Sequence, residues 1–192
     1  MRYTPSTLLA LGVAAGVALV SAACGGDSTN PSGPTSGSHR YSVDLTVNFV
    51  SGNICKWAAT DHGSLVVTTN PAKFTGSVTD INNNQEQLVK TSCDSTCTET
   101  LLNSPRGPID IQEVTAVADD PISHQVTVSY NANIEDGKFQ DTCGGSVTTV
   151  GGTSHVVPTY LSFADNGASQ DFQYTDPATG QSARMVVTPI PQ

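Results

Sequence analysis

Two runs of strict period-two alternation set the terms for this chain. Tyr41, Val43, Leu45, Val47 and Phe49 alternate with Ser42, Asp44, Thr46 and Asn48. Val126, Val128, Tyr130, Ala132 and Ile134 alternate with Gln125, Thr127, Ser129, Asn131 and Asn133. Successive side chains on a strand point to opposite faces, so each run predicts a strand with one buried face. A helix would scatter the same apolar residues around its circumference. Shorter apolar stretches at 54–59, 64–69, 74–81, 86–92, 109–117, 138–150, 156–164, 169–175 and 182–188 read as further strands.

Turn chemistry separates these stretches. Asp61-His62-Gly63, Asn82-Asn83-Asn84, Asp119-Asp120-Pro121, Glu135-Asp136-Gly137 and Asp165-Asn166-Gly167 all favour turns. Residues 98–103 are the one place where a single helical turn is expected, ahead of Pro105. The fold class is therefore all-β, a single antiparallel β-sandwich or meander β-barrel of about 10 strands. Charged residues make up 13% of the chain, about half the share of a typical soluble domain, which suits pleated, half-buried strands rich in Thr and Val.

Charge excludes one class of partner. The net charge is −9. Beyond the N-terminus the basic residues Arg40, Lys56, Lys73, Lys90, Arg106, Lys138 and Arg184 are widely scattered. Gripping a phosphate backbone takes several Lys or Arg on one face, so no nucleic-acid partner is expected.

The N-terminus reads as an address. Arg2 is followed by an apolar, uncharged stretch from Leu8 to Val20, then by the small residues Ser21, Ala22 and Ala23 and by Cys24. Charge, short apolar core and small cleavage residues are the order of a signal peptide, and the apolar core is too short to span a bilayer. Ala22-Ala23-Cys24 resembles the lipobox of bacterial lipoproteins, although Ser21 stands where that family usually has Leu, and an ordinary signal peptidase would accept the same site. The resemblance implies cleavage before Cys24, acylation of its thiol, and membrane contact through that lipid. Residues 1–23 are then the signal peptide, 24–38 the lipidated Cys and a Gly/Ser/Pro-rich tether, and 39–192 the all-β domain in the cell envelope. At the level of pattern alone, 39–192 is similar to small lipocalin-like bacterial lipoproteins, which implies a barrel with a ligand cavity.

Cysteine arithmetic agrees with lipidation. The chain has five Cys, an odd number for an exported protein; setting Cys24 aside leaves Cys55, Cys93, Cys97 and Cys143 for two disulfides. Cys93 and Cys97 are close enough in sequence to close a short loop, so Cys55–Cys143 with Cys93–Cys97 is the expected pairing. Cys55–Cys93 with Cys97–Cys143 is the alternative. The C-x₃-C spacing without a second pair fits neither a zinc site nor a thioredoxin-type centre.

No catalytic, cofactor-binding or metal-ligating set stands out. His39, His62, His124 and His155 lie far apart in sequence, and no nucleophile elbow or phosphate-cradling glycine motif occurs. The adjacent acids Asp119-Asp120 and Glu135-Asp136 read as solvated turn residues; no calcium-loop pattern accompanies them. Trp57 shares strand parity with Cys55 and is expected in the core beside a disulfide. The resulting functional expectation is a lipid-anchored, non-enzymatic binding or interaction module for an unknown protein or small-molecule ligand. The alternatives are a carrier of a small ligand or lipid in a barrel cavity, and a hydrolase whose His124 or His155 meets an acid and a hydroxyl only in space.

Overall fold

A computed structural model describes residues 37–85, 87–93, 96–107 and 109–191; Cys24 and the expected signal peptide lie outside the described residues. The described residues are all-β and antiparallel. Its strands are β1 (His39–Ser51), β2 (Cys55–Asn70), β3 (Thr75–Gln85), β4 (Val89–Cys93), β5 (Thr98–Asn103), β6 (Ile111–Asp119), β7 (Gln125–Glu135), β8 (Lys138–Cys143), β9 (Ser146–Gly151), β10 (Ser154–Ala164), β11 (Gln170–Thr175) and β12 (Ser182–Pro189). Both alternating runs are strands, β1 and β7.

The main sheet runs β10-β7-β6-β3-β2-β1-β12-β11, with β4 pairing to the first part of β2; a second sheet runs β5-β8-β9. The main sheet curls into a half-barrel. Its apolar faces meet in one core built from Tyr41, Val43, Leu65, Val67, Val126, Val128, Phe163 and Val187, among others. The curl is visible in a single contact: the rings of Tyr41 on β1 and Phe163 on β10 lie 5.1 Å apart, although several strands separate them along the sheet.

Irregular pairing produces this curvature. Register shifts occur in the β2–β3, β2–β4 and β6–β7 ladders, and a bulge both bends a strand and strengthens its twist. In β3 the extra residue falls beside Asp80, which adopts a positive φ of 54°. The β3–β6 ladder is reduced to the pair Thr75–Ala118. Where it opens, the Asn83 side-chain amide donates to the Ile111 carbonyl at 3.0 Å.

Several local expectations are corrected. Asp61-His62-Gly63 is not a turn but the middle of the sixteen-residue strand β2. Gly63 serves there as a point of close approach, since a Cβ would lie 3.2 Å from the Ile109 carbonyl oxygen. Asn82-Asn83-Asn84 likewise continues β3 beyond its bulge. Residues 98–103 form β5, not a helical turn, because they pair with β8. The stretch 138–150 is two strands, β8 and β9, joined by Gly144 and Gly145, both at positive φ.

The disulfide pairing is also corrected: the bridges are Cys55–Cys93 and Cys97–Cys143, not Cys55–Cys143 and Cys93–Cys97. The reason is topological. Cys93 is the register partner of Cys55 in the main sheet. Cys97 directly precedes β5, whose Thr98 pairs with Thr142, next to Cys143. Cys93 and Cys97 thus belong to different sheets, and each is stapled within its own. Paired disulfides of this kind belong to an oxidising, extracytoplasmic compartment.

Candidate functional site

The curled sheet does not close. β10 pairs only with β7 and β11 only with β12 among the described residues, so two free strand edges face one another across a seam. At its closed end the Gln170 side chain spans the gap. Its Oε1 accepts from the Ala164 backbone N–H at 2.9 Å and its Nε2 donates to the Ala164 carbonyl at 2.8 Å.

Beyond Gln170 the seam widens into a cavity of about 630 Å³. Its wall includes every residue from 159 to 164 of β10 and from 170 to 174 of β11. A sheet face contributes only alternate residues, so consecutive lining means that the cavity meets both strands edge-on. Its floor is the concave face of the sheet, with Leu45, Val47, Tyr130 and Met185, together with Ile109 from the segment before β6. Phe172 packs from β11 against the core, and the exposed rings of Tyr160 and Tyr174 stand on the two lips. The ionised residues in this lining are Asp171 and Arg184, which neutralise each other through two hydrogen bonds of 3.0 and 2.7 Å. The size and largely apolar lining are those of a small-ligand site.

The other end of the half-barrel is filled by a polar cluster. Asp165, 2% exposed at its side chain, accepts from His39 Nδ1 at 2.6 Å, from Thr69 Oγ1 at 2.9 Å and from the Tyr41 hydroxyl. Burial, followed by the hydrogen bond to Asp165, holds the Tyr41 phenol well above its ordinary range. Asp119 is 3% exposed; burial first and the charge of Asp165 second push its carboxyl up. The expectation that Asp119-Asp120 is a solvated pair is thus corrected for Asp119. It ends β6 opposite the buried Val126 and so takes the concave face, while Asp120 is exposed and accepts from Ile122 N–H and the Ser123 hydroxyl.

This cluster is not a hydrolytic triad. The Thr69 hydroxyl donates to Asp165 directly, so no imidazole stands between hydroxyl and acid to take its proton. His124 is a turn residue at a φ of 51°, His155 is exposed on β10, and His62 shares a 3.0 Å hydrogen bond with Thr46 across the β1–β2 ladder.

A third group fastens the small sheet to the large one. Glu99 Oε2 accepts from the backbone N–H groups of Asn53 and Ile54, and its Oε1 accepts from the Trp57 indole at 2.7 Å. Burial raises the Glu99 carboxyl, but these donors outweigh it and the net direction is down. Its cross-strand partner Asp141 goes the other way: burial raises it, a hydrogen bond from Asn53 opposes, and Glu99 raises it further. Trp57 packs 5.9 Å from Phe139, with Lys90 Nζ 5.3 Å from its ring. The expectation that Trp57 packs in the core is corrected: it is half-buried, outside the main core, at the junction of the two sheets. Asp141 also borders an outer groove of about 930 Å³; its Oδ2 accepts from the Asn53 amide at 2.9 Å, and its Oδ1 is buried without a hydrogen-bond partner among the described residues.

Among the described residues no group of three or more His, Cys, Asp or Glu is arranged to hold a metal ion. Comparison with protein-family models, curated proteins and solved structures finds no match.

Sequence reasoning missed the seam. Pro158, inside an otherwise good strand, is the signal that could have found it, because proline within a sheet marks an edge. The facing edge, β11, carries no such mark.

Proposed function

We propose that this protein is a lipid-anchored, non-enzymatic binding module of the bacterial cell envelope whose ligand seats in the seam between β10 and β11. The observation that carries the reading is the edge-on cavity, open where the ends of the curled sheet fail to meet. Its lining has no uncompensated charge, which favours an uncharged, largely apolar ligand, because an unpaired charge entering an apolar site loses hydration that nothing there replaces. The lipobox-like Cys24 supplies the anchor in this reading, and the disulfides supply the compartment.

The test is a titration of the full chain carrying Cys24→Ser, exported without lipid, with the neutral fluorophore N-phenyl-1-naphthylamine. Saturable enhancement is expected. Phe172→Asp, which places a charge in the cavity wall, is expected to weaken it by about tenfold or more; because Phe172 also packs against the core, the melting temperature falls, and far-UV circular dichroism at the assay temperature shows the fold retained. Saturable binding that Phe172→Asp leaves unchanged would place the ligand elsewhere and overturn the reading.

A further inference from the structure

We propose that the natural occupant of the seam is an extended, uncharged polypeptide segment with apolar residues at alternate positions, which adds as a strand between β10 and β11. This rests on the seam being the binding site and deepens that reading by naming the ligand class.

Three observations carry it. First, backbone hydrogen-bonding groups point into the seam. Gln170 already donates to and accepts from the Ala164 backbone as a neighbouring strand would. Groups on a strand edge alternate in direction, so Ser162 and Tyr160 share the outward orientation of Ala164. Pro158 has the same parity, and its missing N–H therefore costs nothing in the ladder to β7. A partner strand finds its donors and acceptors in the stretch between Pro158 and Ala164. β11, paired on one side only, presents a second row opposite.

Second, the floor is apolar where the rim is not. A strand lying in the seam would turn every other side chain inward onto Leu45, Val47, Phe172 and Met185, and the rest outward past Tyr160 and Tyr174. Period two is what an inserted strand delivers and what a compact ligand does not.

Third, the charge is complementary. The chain carries −9 overall, but Asp171 and Arg184 cancel within the lining. The slot therefore matches a neutral segment, whereas an acidic segment would be repelled by the molecule and a basic one would find no unpaired acid in the lining. β10 and β11 run in opposite directions along an all-antiparallel sheet, so the inserted strand is antiparallel to one and parallel to the other, and closes the half-barrel.

The experiment uses the full chain with Cys24→Ser and a fluorescein-labelled, end-blocked hexapeptide of alternating threonine and valine, read by anisotropy. Saturable binding that competes with N-phenyl-1-naphthylamine is expected. Methylating alternate peptide nitrogens is expected to weaken binding by about tenfold or more, the loss of one or more backbone hydrogen bonds. Tyr160→Pro, which deletes one outward N–H on an edge that already tolerates Pro158, is expected to weaken it similarly. If Tyr160→Pro does not fold, the methylated peptides decide alone. A fluorophore that binds without competition from the peptide overturns strand addition and leaves the binding-module reading standing. Failure of both probes overturns both, and a methylated peptide that binds equally well shows side-chain burial without strand pairing, which also overturns strand addition.

Discussion

Asp61 sits in the middle of β2 with 2% of its surface exposed. Burial first, and the charge of Asp110 second, raise its carboxyl to about 6, against the opposing pull of the Gly107 and His62 N–H groups. Gly107 is pressed against it, since a Cβ there would lie 2.2 Å from Asp61 Oδ2. The folded state thus holds a proton that the unfolded chain releases near its ordinary value of 3.8. The stabilising effect of that proton is fully present below pH 3.8 and is lost as pH rises through about 6. Asp61→Asn removes this slope. Urea unfolding between pH 4 and 7 is expected to show the variant gaining on the parent across the window, by on the order of 2 kcal/mol at pH 7. Equal pH profiles would mean that Asp61 is not the titrating group. The neighbouring Tyr130 phenol, pushed up to about 12 by burial and then by Asp61, stays neutral throughout.

At the scale of elements, the two disulfides divide the work between the sheets. Cys55–Cys93 holds β4 to the start of β2, with Cα atoms 4.0 Å apart. Cys97–Cys143 holds the entry to β5 against the end of β8, with Cα atoms 4.5 Å apart. Each closes a long loop, spanning 38 and 46 residues of sequence, and each is expected to contribute about 4 kcal/mol by restricting the unfolded chain. Replacing both members of either pair by Ser is expected to lower denaturant stability by about that amount. Non-reducing peptide mapping of the parent should recover Cys55 with Cys93 and Cys97 with Cys143. A peptide holding Cys93 bonded to Cys97 would contradict the two-sheet arrangement. The Glu99 clamp acts at the same scale: one carboxylate from β5 satisfies two backbone donors and the Trp57 indole, so hydrogen bonds join the two sheets.

At the scale of the molecule, the half-barrel is filled near Asp165 and open along its seam. Tyr41 and the Asp165 cluster fill the first; the cavity over Leu45, Val47 and Met185 opens at the second. The proposed anchor sets where this seam works. Growth with a palmitate analogue is expected to label the full chain at Cys24 and to leave Cys24→Ser unlabelled and released. An unlabelled parent would replace the anchored reading with a secreted one.

How much of this was legible follows from the range of each interaction. Strand class, the alternating faces of β1 and β7 and the presence of two bridges depend on period-two spacing and cysteine number, which are properties of the chain read locally. Tertiary contacts decided the rest. Asp61-His62-Gly63 has the composition of a turn, yet unbroken pairing with β1 keeps it extended. Asp119 has the composition of a solvated turn, yet it faces the interior opposite Val126. Cys93 and Cys97 are close in sequence, yet they belong to different sheets. The seam exists because bulges in β3 and β6 set a curvature that stops short of closure, and closure is a sum over all the strands that no single stretch of residues encodes.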